Sequence, residues 1–321
     1  MKNKSLNLKK LIYALFILGM VSLVGCKREE LGMQEASGIK RFFAENQTKS
    51  EFFVVNAGVK SSVLGKNGTI IKLEANSLLH QNGTPVTGNV TIELKEVFTK
   101  ADMVKSQLQT KYKNNLMVSQ GQFYINAIQN GESLKIKPSK KIEVFVPNFD
   151  NAPHTTVFRG DSIPNDSTSD PIDSFINWSF EDSSWIYPSY IDSSMDSSVD
   201  SSTYVFKLEI NGFGWVNLQS FFESSDLTNI TMETPGLDLN DCGIFVVFDD
   251  YNALYQPFIS DGFFNSYYLP IGAQVTLVAL GFKDGQFYLD LREITISPYE
   301  NYILDLQPRS VQEINQALEN L

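Results

Sequence analysis

Residues 90–98 read Val-Thr-Ile-Glu-Leu-Lys-Glu-Val-Phe, and the order of apolar and polar side chains in them decides the fold class. Val90, Ile92 and Leu94 share one parity, while Thr91, Glu93 and Lys95 share the other. Side chains of an extended chain point alternately to opposite faces, so this alternation predicts a strand with one face in a core and one toward water. Antiparallel sheets carry that pattern because one of their faces is often left solvated. Val97 falls out of phase, which predicts a bulge or a strand end near Glu96.

Turn chemistry brackets this strand: Gly65-Lys-Asn-Gly68 and Gln81-Asn-Gly-Thr-Pro85 lie ahead of it. Strand-like runs at 52–56, 69–73, 122–128 and 141–146 complete a region, 51–149, that reads as a β-sandwich; 102–109 reads as a short helix or a strand crossover. Further on, runs at 204–210, 229–233, 244–248, 274–282, 286–297 and 302–306 are rich in Val, Ile, Thr, Phe and Tyr. Asn211-Gly212, Asp261-Gly262 and Lys283-Asp-Gly285 punctuate them as hairpin signals. Residues 204–321 therefore read as a second β-rich domain. Its close, Val311, Ile314, Leu318 and Leu321 behind an N-cap at Ser310, predicts a short helix packed on that domain.

Between the two regions, residues 150–203 change character. From Asp161 to Ser202 there are nine acids and no Lys or Arg, and Asp192, Asp196 and Asp200 mark a four-residue Ser/Asp repeat. Such a composition buries too little apolar surface to offset ordering entropy, so it predicts a mostly mobile linker. The aromatic patch of Trp178, Phe180, Trp185 and Tyr187 is expected to dock on a neighbouring domain. The Asp repeat lacks the central Gly and ligand spacing of an EF-hand loop, so a solvated acidic segment is the reading rather than a calcium site. The expected fold class is all-β: two β-sandwich-like domains joined by an acidic Ser/Asp-rich linker, with a short C-terminal helix.

The start of the chain carries an address. Lys2, Lys4, Lys9 and Lys10 precede an apolar run at 11–24, too short for a bilayer span of about 20 residues. That run ends in Leu23-Val24-Gly25-Cys26, which resembles a bacterial lipobox. The resemblance implies that residues 1–25 are a lipoprotein signal peptide and that Cys26 is lipidated with palmitate-type chains, anchoring the protein to a lipid bilayer. Residues 26–50 are polar and weakly patterned and read as a tether. Lys27-Arg-Glu-Glu30 resembles the export signal that places Bacteroidota lipoproteins on the outer face of the outer membrane, so cell-surface exposure is expected.

Charge and residue usage exclude several functions. The chain holds 26 basic and 37 acidic residues; four of the basic ones and none of the acidic ones lie in the first 25, so the remainder carries about −15. Such a surface repels nucleic acid, which is not an expected partner. With Cys26 committed to lipid, Cys242 is unpaired and enters an apolar strand, as a small buried hydrophobe would. The two histidines, His80 and His154, fall in a turn and a loop outside any catalytic or zinc motif. No metal and no cofactor is expected, and no catalytic residue is assigned.

A family resemblance covers roughly residues 53–148. The succession of the 65–69 turn, Ala75-Asn-Ser77, Pro85-Val-Thr-Gly88, Leu94-Lys-Glu96 and Gly121-Gln-Phe-Tyr-Ile-Asn-Ala127 resembles the ZU5-like β-sandwich modules of many Bacteroidota surface proteins. The resemblance implies a sandwich that serves as an interaction surface; the His-Phe-Ser motif of self-cleaving relatives is absent here. Gly214-Trp-Val-Asn217 is similar to a Gly-Trp-Ile-Asn-Cys-Asp stretch that follows such modules, but Leu218 and Gln219 replace its Cys and Asp.

The expected function is thus a non-catalytic cell-envelope lipoprotein acting as a surface interaction or structural module. The alternatives are a carbohydrate-binding lipoprotein of a nutrient-uptake system and a carboxylate-dependent hydrolase. Phe263, Phe264, Tyr267 and Tyr268 form the candidate binding patch for a glycan or protein, against the reading that they plug the end of the sandwich. Ser162 and Ser167, each following an Asp, resemble O-glycosylation sites of exported Bacteroidota proteins.

Overall fold

The computed structural model describes residues 38–149, 152, 154–162, 176–180, 186–190 and 204–321. Cys26, Ser167, Trp185 and the Asp192–Ser202 repeat lie outside the described residues. The protein is all-β, with a short helix at its C-terminal end.

Four main sheets hold the strands. The first has eight strands: β1 (Glu51–Asn56), β5 (Asn89–Val97), β7 (Asn115–Gln129), β15 (Gly214–Phe221), β11 (Thr156–Ser162) and β12 (Ile176–Phe180) in that order, with β6 (Lys111–Tyr112) and β8 (Glu132–Ser133) paired to β7. The second orders β13 (Pro188–Tyr190), β14 (Tyr204–Ile210), β10 (Ile142–Pro147), β3 (Ile70–Leu73) and β2 (Ser61–Leu64). A small ribbon pairs β4 (Leu78–Leu79) with β9 (Lys135–Ile136). The third orders β19 (Phe258–Ser260), β20 (Phe263–Pro270), β16 (Leu227–Glu233) and β23 (Asn301–Ile303). The fourth orders β18 (Leu254–Tyr255), β17 (Cys242–Phe248), β21 (Gln274–Lys283), β22 (Gln286–Thr295) and β24 (Gln307–Arg309).

The first and second sheets close over one core, a sandwich in which the alternating side chains of both inner faces interdigitate. Val90, Ile92 and Leu94 of β5 meet Val144 and Val146 of β10 and Phe206 and Leu208 of β14 there. The phase slip at Val97 marks the end of β5 and not a bulge. Strand β5 keeps register with β7 through Val97 opposite Gln122; Glu96 stays in the inward phase and is buried, while Val97 faces out. The bulge lies instead on β7, where the register to β15 shifts at Leu218/Gln219.

The sheets change partners later than residue 204. Strands β14 and β15 pair with β10 and β7, so the chain serves the first sandwich as far as Phe221. Alternation marks a strand without naming its neighbour, and these two strands read equally well in either domain. Within the expected linker, β11 and β12 extend the first sheet and β13 edges the second. Phe158 and Trp178 are buried with Met117 on the outer face of that sheet, and Trp178 Nε1 donates to the Gln109 carbonyl at 2.9 Å. Strand β15, the Gly-Trp-Val-Asn stretch, is thereby interior to the first sheet rather than appended to it.

The third and fourth sheets form a second sandwich around Ile230, Met232, Ile244, Val246, Leu277 and Ala279. Three helices occupy the space between the sandwiches: α1 (Gly38–Asn46), α2 (Lys100–Ser106) and α3 (Val311–Leu318). Ile39, Phe42 and Phe43 of α1, at the i, i+3, i+4 spacing of one helix face, are buried, so part of the expected 26–50 tether belongs to the folded body. They pack with Met103 and Val104 of α2 and with Ile314 and Leu318 of α3 against Phe245, Val247, Val278 and Leu280 of the fourth sheet. Val97 and Trp215, from the outer face of the first sheet, join the same cluster. Gly38 is obligatory in this layer, since a Cβ would run into the Phe282 ring.

Polar contacts fix each helix. Thr99 caps α2 by accepting from the Asp102 N–H at 3.1 Å, and Ser310 and Glu313 make a capping box on α3. The Thr48 hydroxyl donates to Asp102 at 2.9 Å, Asn315 Nδ2 donates to Asn46 Oδ1 at 2.7 Å, and Lys105 pairs with Glu319.

Candidate functional site

Of the residues that carry the family resemblance, 94–96 and 121–127 lie in β5 and β7, and the other glycines and Asn76 build turns. Gly68 adopts φ +97°, and a Cβ on Gly65 would approach the Leu94 side chain at 2.6 Å. Asn76 takes a left-handed φ of 56° and donates its N–H to the Ala57 carbonyl at 2.8 Å. Glu96, buried at the end of the core, accepts from the Thr69 and Asn67 N–H groups at 3.0 and 2.9 Å. Burial pushes its carboxyl above the ordinary range, and the hydrogen bonds pull the other way. This buried acid staples the turn between β2 and β3.

A cleft of about 900 Å³ opens beside that turn, between the two sandwiches. Its walls come from the 66–68 turn, the β5–α2 junction, the bulge on β7, Phe149 after β10 and the β17–β18 turn. Gly121, at φ +142° in the bulge, lets Phe98 pack where a Cβ would meet its ring at 2.7 Å, and the Phe98 and Phe149 centroids lie 5.7 Å apart. Asn252 ties the two sandwiches: its Nδ2 donates to the Phe98 and Ser119 carbonyls at 3.1 and 3.0 Å, and its own carbonyl accepts from the Ser119 N–H at 2.9 Å. Lys100 Nζ adds a bond to the Asp249 carbonyl at 2.7 Å. The cleft is therefore held from both sides and preformed.

Its polar groups fall into two sets. Asp102 accepts from Thr48 and Thr99 hydroxyls, both at 2.9 Å, and Asp249 accepts from Thr276 at 3.0 Å. Among the described residues, the side chains of Lys66, Gln120 and Asp250 have no hydrogen-bonding or ionic partner. Gln120 is only 7 % exposed. Phe149 and Tyr251 are the exposed rings, and Tyr251 is braced edge-on by Phe222 at 4.9 Å. The short strings Asn148-Phe149 and Asp250-Tyr-Asn252 read as ordinary loops in sequence, and nothing in their spacing joins them.

The candidate patch of four aromatics divides. Phe264 is buried in the second core, and Phe263 is half-buried at the head of β20. Tyr267 and Tyr268 are exposed, because a bulge against β16 places both opposite Asn229 and puts Tyr268 at φ +61°. Tyr267 meets Phe258 edge-on at 5.0 Å and Tyr268 at 6.5 Å with planes 81° apart, so the rings do not make one flat platform.

The remaining residues singled out in the sequence fall in separate places. Cys242 is fully buried on β17, 3.7 Å from the Thr234 hydroxyl, and burial pushes its thiol up to about 11. That is the opposite of nucleophile activation. His80 lies in the hairpin turn ahead of Thr84, and the His154 ring lies 6.0 Å from Tyr187. Ser162 closes β11, with its side chain outside the described residues. Among the described residues, no cluster of three or more His, Cys, Asp or Glu side chains is arranged to hold a metal, and no helix is long and apolar enough to cross a membrane. Comparison with known protein families and with curated proteins finds no match to this chain.

Proposed function

We propose that this protein is a lipoprotein of the outer membrane, anchored through acylated Cys26, exposed at the cell surface, and acting as a non-catalytic interaction or structural module whose first sandwich is ZU5-like. The observation that carries the anchoring is Leu23-Val24-Gly25-Cys26 directly behind a basic and then apolar leader. A thiol placed there receives acyl chains, and two or more such chains hold a protein stably on a bilayer. Helix α1 supports a close attachment. It begins at Gly38 and is buried between the sandwiches, so the leash from Cys26 spans at most about 40 Å when fully extended. The interaction role draws on the body itself, in which helices and cross-sandwich bonds present a fixed cleft; of the acids that line it, Asp102 and Asp249 are engaged by threonine hydroxyls and Asp250 alone is unengaged among the described residues. A hydrolase would need two facing carboxylates free to act.

The test is labelled palmitate incorporation in cells expressing the wild type and Cys26→Ala, combined with protease shaving of intact cells. Label lost in the variant, together with fragments released from wild-type cells, is the expected result. Label retained in the variant overturns the anchor; label lost but fragments withheld overturns surface exposure and leaves a periplasm-facing lipoprotein.

A further inference from the structure

We infer that the cleft between the sandwiches is a binding site for a neutral carbohydrate chain, with Phe149 and Tyr251 as stacking surfaces and Gln120, Asp250 and Lys66 as the groups that meet hydroxyls. The inference deepens the interaction-module reading and rests on it, by naming the class of ligand.

Three observations select that class. First, two exposed rings stand in a cleft that also presents several polar and charged side chains, which suits a ligand with one apolar and one polar aspect. A sugar ring is such a ligand, presenting C–H groups on its faces and hydroxyls around its edge. Second, Gln120 is more than nine-tenths buried, lines the cleft and has no partner within the protein. Its amide reaches the cleft rather than a dry interior, and offers a donor and an acceptor that adjacent hydroxyls can meet together. Third, Lys66 and Asp250 offer one unengaged charge of each sign, which fits hydroxyl pairs that donate and accept and does not fit a phosphate or an acidic polymer. A purely apolar ligand would have to desolvate both charges without return. The volume, about 900 Å³, lies in the range of small-molecule sites and has room for a short oligosaccharide rather than a single ring.

The experiment uses the full-length chain in detergent, titrated calorimetrically with malto-, cello-, xylo-, manno- and galacto-oligosaccharides. At least one series is expected to bind. Phe149→Ala and Asp250→Asn should each weaken binding about tenfold, while Tyr267→Ala and Tyr268→Ala leave it unchanged. Phe149 is 59 % exposed, so its loss should not move the thermal midpoint, which separates lost binding from lost folding. Binding abolished by the Tyr267 or Tyr268 variants but kept by the cleft variants would transfer the site to the bulge on β20 and overturn the assignment. No binding in any series would overturn the carbohydrate inference, while palmitate labelling and shaving would still decide the lipoprotein reading independently.

Discussion

Strands β5 and β17 solve the same packing problem with different numbers of covered faces. In β5, Val90, Ile92 and Leu94 enter the sandwich core while Thr91, Glu93 and Lys95 remain half-buried on the far side. In β17, all seven residues from Cys242 to Phe248 are buried: Ile244 and Val246 face the second core, and Phe245 and Val247 face the helices. A strand with one covered face alternates; a strand with two covered faces reads as an unbroken apolar run. The run Cys-Gly-Ile-Phe-Val-Val-Phe thus records a second layer packed on the fourth sheet. The helices supply that layer, and the two sandwiches share it.

The sharpest break of this comparison is a parity experiment. Aspartate at Ile92 should unfold the protein, while Thr91→Asp should cost no more than about 1 kcal/mol, because ahead of Val97 only one parity of β5 is fully buried. In β17 both Phe245→Asp and Val246→Asp should cost about 5 kcal/mol or more, seen as insoluble or unfolded protein by circular dichroism. A soluble, folded Phe245→Asp variant would mean that the far face of the fourth sheet is open to water.

A smaller effect tests the layer itself. Phe42 of α1 is 1 % exposed and its ring centroid lies 5.7 Å from that of Phe287. Phe42→Ala should cost about 3–5 kcal/mol in urea unfolding. Arg41→Ala, on the exposed side of the same helix, should stay within about 0.5 kcal/mol. Equal, small losses at both positions would return α1 to the tether.

The smallest expected effect is a pH dependence at Cys242. Burial raises its folded-state value from 9.0 to about 11, so the unfolded chain loses this proton first. Over the window from about pH 9 to about pH 11 the folded state holds a proton that the unfolded state has released, and stability falls as pH rises, by up to about 3 kcal/mol. The contribution is complete below pH 9. Cys242→Ala should flatten the slope of the urea midpoint across that window, and an unchanged slope would place the thiol in contact with water.

Much of the strand set was legible because period-2 alternation is local. The run at 204–210 coincides with β14, and those at 52–56, 274–282 and 286–297 meet their strands to within two residues at either end. The C-terminal helix was readable for the same reason, with Ser310 as its cap and Ile314 and Leu318 as its buried face. Helix α1 was not, since nine residues with three large apolar side chains give a weak signal and gain their stability from packing rather than propensity. Strands β11 to β13 were obscured by the acidic Ser-rich segments around them, although Val157 and Phe158 are buried on opposite faces of the first sheet. The candidate cleft was illegible. Lys66, Phe149 and Asp250 come from three separate loops and Gln120 from the bulge within β7, and no spacing along the chain predicts that they meet.

The sequence by itself determined the all-β class, the positions of many of its turns and the net acidic charge. Those are local or compositional properties, set by parity, by glycine and asparagine in turns, and by the count of charges. Only the tertiary structure decided which strands pair, that β14 and β15 complete the first sandwich, that α1 is core, and that a cleft lies between two bodies. These are long-range outcomes. They depend on which apolar faces remain uncovered once the local elements exist, and each buried face is assigned its partner by the packing of the whole.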